Sequence, residues 1–234
     1  MTRALARSHF HRSSLIRVLT DMALVDAVEP GGTFAEKLGQ WVDIASAITL
    51  RSVHSASVAT PAGAKAPAKA SSAVGEEFAR VRAALVQAIQ KSELPKPGGP
   101  LEVEPTFEPY RRYYMAQQRD MALKVPRLQA RVRAVLVGAS PALKQLAALD
   151  EAFATMLSER EDQLLSKLPS LLALRFKHLQ QGSPQAEQPG GWLARFGHEL
   201  QTVLLAELDV RLQPTVGLLE ALNPHFDQEK THHS

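Results

Sequence analysis

Arg133-Ala134-Val135-Leu136-Val137-Gly138-Ala139-Ser140-Pro141-Ala142-Leu143-Lys144-Gln145-Leu146 decides the fold. An apolar helical pattern runs into Gly138 and a second one leaves from Pro141. Between them Ser140 is placed to cap the free N–H groups of a new first turn, and Pro141 sits where a helix needs no donor. The segment reads as the turn of a helical hairpin spanning about Thr106 to Gln180.

Both arms carry the stripe that such a hairpin requires. In the first, Met121, Val125, Leu128, Val132 and Val135 recur at alternating spacings of 4 and 3, the seam of a helix that packs along its whole length on a partner. Tyr110, Tyr113 and Tyr114 extend it backwards as amphipathic anchors. In the second arm Leu143, Leu146, Leu149, Phe153, Met156, Leu157, Leu164, Leu168, Leu171 and Leu172 line one face, with Arg160, Asp162 and Lys167 on the other. Pro126 is expected to kink or break the first arm, and Pro169 to break the second.

Outward from the hairpin the pattern stays helical. Residues 13–54 read as an N-terminal helical pair: a helix capped by Ser13 or Ser14, then one opened by the capping box Thr33-Phe34-Ala35-Glu36 and carrying Phe34, Leu38, Trp41, Ala45 and Ile48. Residues 55–72 are Ala, Pro, Ser and Lys with nothing large to bury, the composition of a flexible linker. Residues 73–223 form the helical bundle proper, opening with a helix from about Val74 to Ser92 and closing with one from Trp192 to Leu222 that has Pro214 inside. A polar tail, 224–234, follows. The expected fold is all-α: an irregular bundle of about six helices built on the long antiparallel hairpin.

Composition narrows the chemistry. In 234 residues there is no cysteine, which excludes disulfides, thiolate metal sites and cysteine nucleophiles and suits a reducing cytoplasm. Apolar runs of four or five residues fall far short of the roughly 20 that span a bilayer. The first twenty residues hold Arg3, Arg7, Arg12, Arg17 and no acid. That resembles a mitochondrial presequence, but Leu15, Ile16 and Leu19 read as the start of the folded domain. No His-Glu-x-x-His, Walker loop, G-x-G-x-x-G or Gly-x-Ser-x-Gly elbow is present, so no enzyme, metal or cofactor is expected.

The feature with functional potential is the basic arm: Arg111, Arg112, Arg119, Lys124, Arg127, Arg131 and Arg133. Part of it forms a stripe that can hold nucleic-acid phosphates, with the tyrosine rings stacking on bases, or dock a partner protein. The plainer expectation is that these cations pair with Glu151, Glu159, Glu161 and Asp162 on the second arm.

Several blocks resemble a proteobacterial all-helical family of unknown function: Ser14 to Leu19, Leu24-Val25-Asp26, Phe34 to Trp41, Ala47 to Leu50, Leu128 to Leu136, Ser140 to Asp150 and Leu204 to Pro214. The resemblance covers most of the chain outside the linker, and it implies genomic company rather than chemistry. The neighbours are similar to a flagellar-type stator pair, comprising a proton-channel protein and a peptidoglycan-binding OmpA-like protein, as in type III Zorya anti-phage defence. It implies a cytoplasmic, non-catalytic accessory protein partnered by other proteins of the same defence operon, a second cytoplasmic accessory protein among them. No catalytic residue carries over. The alternative function is a DNA-binding module using the basic helix 110–135.

Overall fold

The computed structural model describes residues 13–25, 42, 44–55, 68–91, 94, 105–182 and 191–222. Among them are seven helices and no strand: α1 (Ser14–Asp21), α2 (Ile44–Ser55), α3 (Ala68–Lys91), α4 (Glu108–Ala139), α5 (Pro141–Leu165), α6 (Leu168–Gly182) and α7 (Trp192–Leu222). The all-helical fold and the hairpin are as expected. The Thr33 to Glu36 capping box, residues 56–67 of the linker and the tail 224–234 lie outside the described residues, and α3 begins at Ala68, inside the segment read as linker.

The hairpin turn is built as its sequence implies. Ser140 is extended at φ −159°, ψ 160°, and its Oγ accepts from the Leu143 N–H at 3.2 Å, with Pro141 opening α5. The prolines behave differently from one another. Near Pro169 the second arm does break: α5 ends at Leu165, Ser166 and Lys167 turn, and Pro169 falls in the first turn of α6. At Pro126 the expected break is absent and α4 continues through it, as α7 does through Pro214. Both rings are exposed, so the carbonyl each leaves unpaired lies towards water, while the buried seam holds the helix from the other side.

Cross-helix contacts set the directions. Tyr113 Oη and Gln201 Nε2 both donate to the Ile89 carbonyl near the end of α3, whereas Glu77 near its start meets Arg131. Hence α3 runs antiparallel to α4 and α7. Gln118 reaches the Leu165 carbonyl, Arg133 reaches Asp150 and Gln180 reaches the Pro105 carbonyl, so α5 and α6 together return alongside α4. The result is an up-down-up-down arrangement of α3, α4, α5/α6 and α7. Its parallel diagonal pair, α4 and α7, makes the most extensive helix–helix contact among the described residues.

That diagonal is the core. Tyr114, Met121, Leu128, Phe196, Leu200, Leu204, Leu208 and Leu212 are all essentially inaccessible. At one end Phe176 stacks edge-on against Trp192 and Phe196, both at 5.0 Å between ring centres, and Tyr110 meets Phe196 at 5.4 Å. At the other end Val74, Val132, Leu136, Ala147, Leu218 and Leu222 close a smaller cluster. Each buried Leu or Phe contributes about 1.5–3 kcal/mol by leaving water. Leu15 and Leu19 of α1 and Met22 just after it join the main core, α1 packing against α7, and α2 lies on α5. α1 is stopped by Ala23 at φ 55°, with Leu24 N–H returning to the Leu19 carbonyl at 2.9 Å.

Candidate interaction surface on the central hairpin

Most ionisable groups near the core are tied to each other. Glu207 of α7 is completely buried and sits inside the apolar stripe of Leu200, Val203, Leu204 and Leu208. Tyr114 Oη donates to its Oε2 at 2.6 Å, Gln118 Nε2 lies 3.1 Å from both carboxylate oxygens, and Arg211 Nε donates to Oε1 at 2.9 Å. Arg211 also meets Glu161 of α5 at 3.5 Å. Burial, then the Glu207 charge and the hydrogen bond to it, push the Tyr114 hydroxyl well above its ordinary value. Burial also raises the Glu161 carboxyl against the opposing pull of Arg211.

A second buried pair joins α6 to α7. Arg175 grips Glu199 with two parallel bonds, Nε to Oε2 and Nη2 to Oε1, each 2.7 Å, and Arg195 adds a third at 3.0 Å. Burial pushes the Glu199 carboxyl up, but the hydrogen bonds and charges of Arg175 and Arg195 outweigh it and hold the group below its ordinary value. The hydrogen bond to Glu199 raises Arg175 in turn. The buried members of both clusters, Glu207, Glu199 and Arg175, lie between helices and act as cross-links. Among the described residues no three His, Asp or Glu side chains converge as a metal ion would need, and no helix is long and apolar enough to cross a membrane.

The basic arm is split by the structure. Arg133 is half-buried and is its one member that crosses to the second arm among the described residues, meeting Asp150 at 2.6 Å beside Gln129, while its Nη2 is buried with no partner there. Arg131 reaches Glu77 of α3 at 3.5 Å and stays 71% exposed. Arg111 and Arg112 lie 3.6 and 3.9 Å from Glu108, and Lys124 2.8 Å from Asp120, all within α4 itself. Arg119 and Arg127 are exposed and have no ion pair or hydrogen bond among the described residues.

Two expectations are therefore corrected. No cation of the basic arm pairs with Glu151, Glu159, Glu161 or Asp162; Glu161 turns inward to Arg211 and the other three face outward on α5. The reason is angular: Asp150 lies on the flank of α5 that meets α4, whereas Glu151 is rotated about 100° away from it. Nor are the tyrosines free to stack on bases. Tyr110 and Tyr114 are buried, and Tyr113 is spent on the Ile89 carbonyl at 2.9 Å.

What remains on the outer face of α4 is a stripe of Arg112, Arg119, Leu123 and Arg127, spaced by the small residues Ala116 and Ala130. At 100° per residue the four fall within roughly 80° of arc. Leu123 is 58% exposed in the middle of it. The buried partners Glu207, Arg211, Arg175 and Glu199 were not singled out by sequence reasoning. A signal for Glu207 does exist: an acid inside the apolar stripe, with Arg211 one turn later on the same face.

Comparison of the chain with curated proteins and with solved structures gave no match. Over residues 1–224 it matches a family described as protein of unknown function (DUF3348), and the chain belongs to that family.

Proposed function

We propose that this is a non-catalytic helical accessory protein that works by binding other proteins, in the cytoplasm, beside the stator-like membrane motor of a type III Zorya-like anti-phage defence system. The genomic part of this reading rests on the resemblance carried by the Ser14 to Leu19, Ser140 to Asp150 and Leu204 to Pro214 blocks. The molecular part is carried by one observation. Buried ionisable groups, Glu207 with Arg211 and Glu199 with Arg175, are consumed in helix-to-helix bonds, while unpaired cations lie outward on α4. Groups arranged this way hold a bundle together and present a surface; a reaction centre needs them converging on a cavity.

Co-expression with the stator-like pair and the second accessory protein tests it. The chain should co-purify with at least one of them, and deleting its gene should abolish protection from phage. A chain that binds none of them, with protection intact after its deletion, overturns the reading.

A second reading, a DNA-binding module on helix 110–135, is favoured by the absence of any acidic partner for Arg119 and Arg127 among the described residues. It predicts duplex binding that falls steeply with salt and is lost in Arg119→Glu/Arg127→Glu. With Tyr110 and Tyr114 buried and Tyr113 bonded to the Ile89 carbonyl, such binding is left to backbone charge alone.

A further inference from the structure

The outer face of α5 mirrors that of α4. Glu151, Thr155, Glu159 and Asp162 are exposed and fall within roughly 80° of arc at 100° per residue. Among the described residues none of the three acids is in an ion pair; Glu159 accepts a hydrogen bond from Gln163 at 3.1 Å, one turn along the same helix. One chain thus carries two cations without an ion pair among the described residues, Arg119 and Arg127, and a stripe of acids without one on the two arms of its hairpin. Their spacings agree: Arg119 and Arg127 are eight positions apart, as are Glu151 and Glu159, or about 12 Å on each helix.

The geometry points to self-association, in which the Arg119-Leu123-Arg127 face of one copy docks on the Glu151-Thr155-Glu159 face of a second copy. Midway between the charges, Leu123 of one helix meets Thr155 of the other, so the exposed leucine is covered where the two stripes cross. Leu123 also argues for a protein occupant over a nucleic acid. A half-exposed isobutyl group between two arginines gains nothing from a phosphate backbone, and Asp120 and Glu108 interleave acids that repel one. The small residues Ala116 and Ala130 let a second helix approach closely. The contact closes as a two-fold dimer if both pairs of faces meet at once, and otherwise is heterologous and ends in a ring or runs on as an open chain. Exposed charge pairs are individually weak and screened by salt, so the association is modest in affinity and salt-sensitive.

Sedimentation velocity on the full chain, over a range of concentrations at low and high salt, tests this. Association is expected at low salt and should weaken at least roughly tenfold at high salt. Arg119→Glu/Arg127→Glu alone and Glu151→Arg/Glu159→Arg alone should each sediment as monomers. An equimolar mixture of the two variants should recover a complex, since each then supplies the face that the other has lost. Circular dichroism and thermal unfolding of each variant check that the bundle is intact; these positions are exposed, so little change is expected. A wild-type chain that stays monomeric at every concentration overturns the proposal. So does association that survives both double substitutions. Loss in the arginine variant with none in the glutamate variant overturns it as well, because the α4 face then has another occupant, with duplex DNA as the first to try by gel shift.

Discussion

The Tyr114 hydroxyl donates to Glu207 Oε2 at 2.6 Å across the interface between two parallel helices, 93 positions apart in the chain. This bond and its neighbours satisfy a carboxylate that has no access to water. Removing partners should therefore be costlier than removing the whole group. Tyr114→Phe should destabilise by about 1.5–3 kcal/mol, the range for a hydrogen bond to a charged group. Arg211→Met should cost about 3–5 kcal/mol, because it leaves Glu207 buried without its counter-charge. In the Glu207→Gln background the Arg211 cost should shrink. Urea unfolding of the single and double variants reads all of these, and an Arg211→Met cost that is unchanged by Glu207→Gln would contradict the network.

The two buried clusters set opposite ends of the pH-stability curve. Tyr114 has a raised pKa in the folded state, so its contribution is complete below about pH 10 and drains away as pH rises from there through the raised folded value. Glu199 has a lowered pKa, so its contribution is complete above the ordinary value of 4.5 and drains as pH falls through the depressed one. Denaturant midpoints across pH should show Tyr114→Phe flattening the alkaline limb and Glu199→Gln flattening the acid limb. Exchanged effects would refute the assignment.

Thr215 is fully buried and its Oγ1 has no hydrogen-bond partner among the described residues. Thr215→Val keeps the shape and removes a hydroxyl whose desolvation is uncompensated, so it should stabilise by about 1 kcal/mol. A rise in thermal midpoint is expected; a fall would mean that the hydroxyl has a partner.

Gly197 lies in the buried face of α7, where an added Cβ would stand 2.5 Å from Leu94 Cδ1. Alanine there gains about 1 kcal/mol of helix propensity but must push the leucine aside. Gly197→Ala alone should accordingly come out near neutral or destabilising. Combined with Leu94→Ala it should add close to the full propensity gain over Leu94→Ala alone, a non-additivity that a double-mutant cycle in urea measures directly.

Helix identity, the hairpin and its turn were legible in residue order because their causes are local. Ser140 and Pro141 cap α5 through contacts three residues away, and the seam of Met121, Val125, Leu128 and Val132 is buried as its spacing implies. Of the two outcomes open at Pro126, a kink or a break, the break does not occur, for a local reason too: the same proline breaks a helix or rides on its wet side, depending on which way the ring faces. Residue order alone is silent on that.

The amino-acid sequence, then, was sufficient for what depends on near neighbours: all-helical character, the buried seam of α4 and the surplus of cations on it, although Ile48 and Leu164, read as parts of apolar stripes, are exposed. Packing alone decided which charges meet. Glu207 finds Tyr114 because α4 and α7 run parallel, Arg175 finds Glu199 because α6 returns against α7, and Arg119 and Arg127 stay unpaired because the acids of α5 are rotated outward. Coulombic pairing needs groups within about 4 Å, and between residues 24 to 93 positions apart that distance is set by helix direction and rotation.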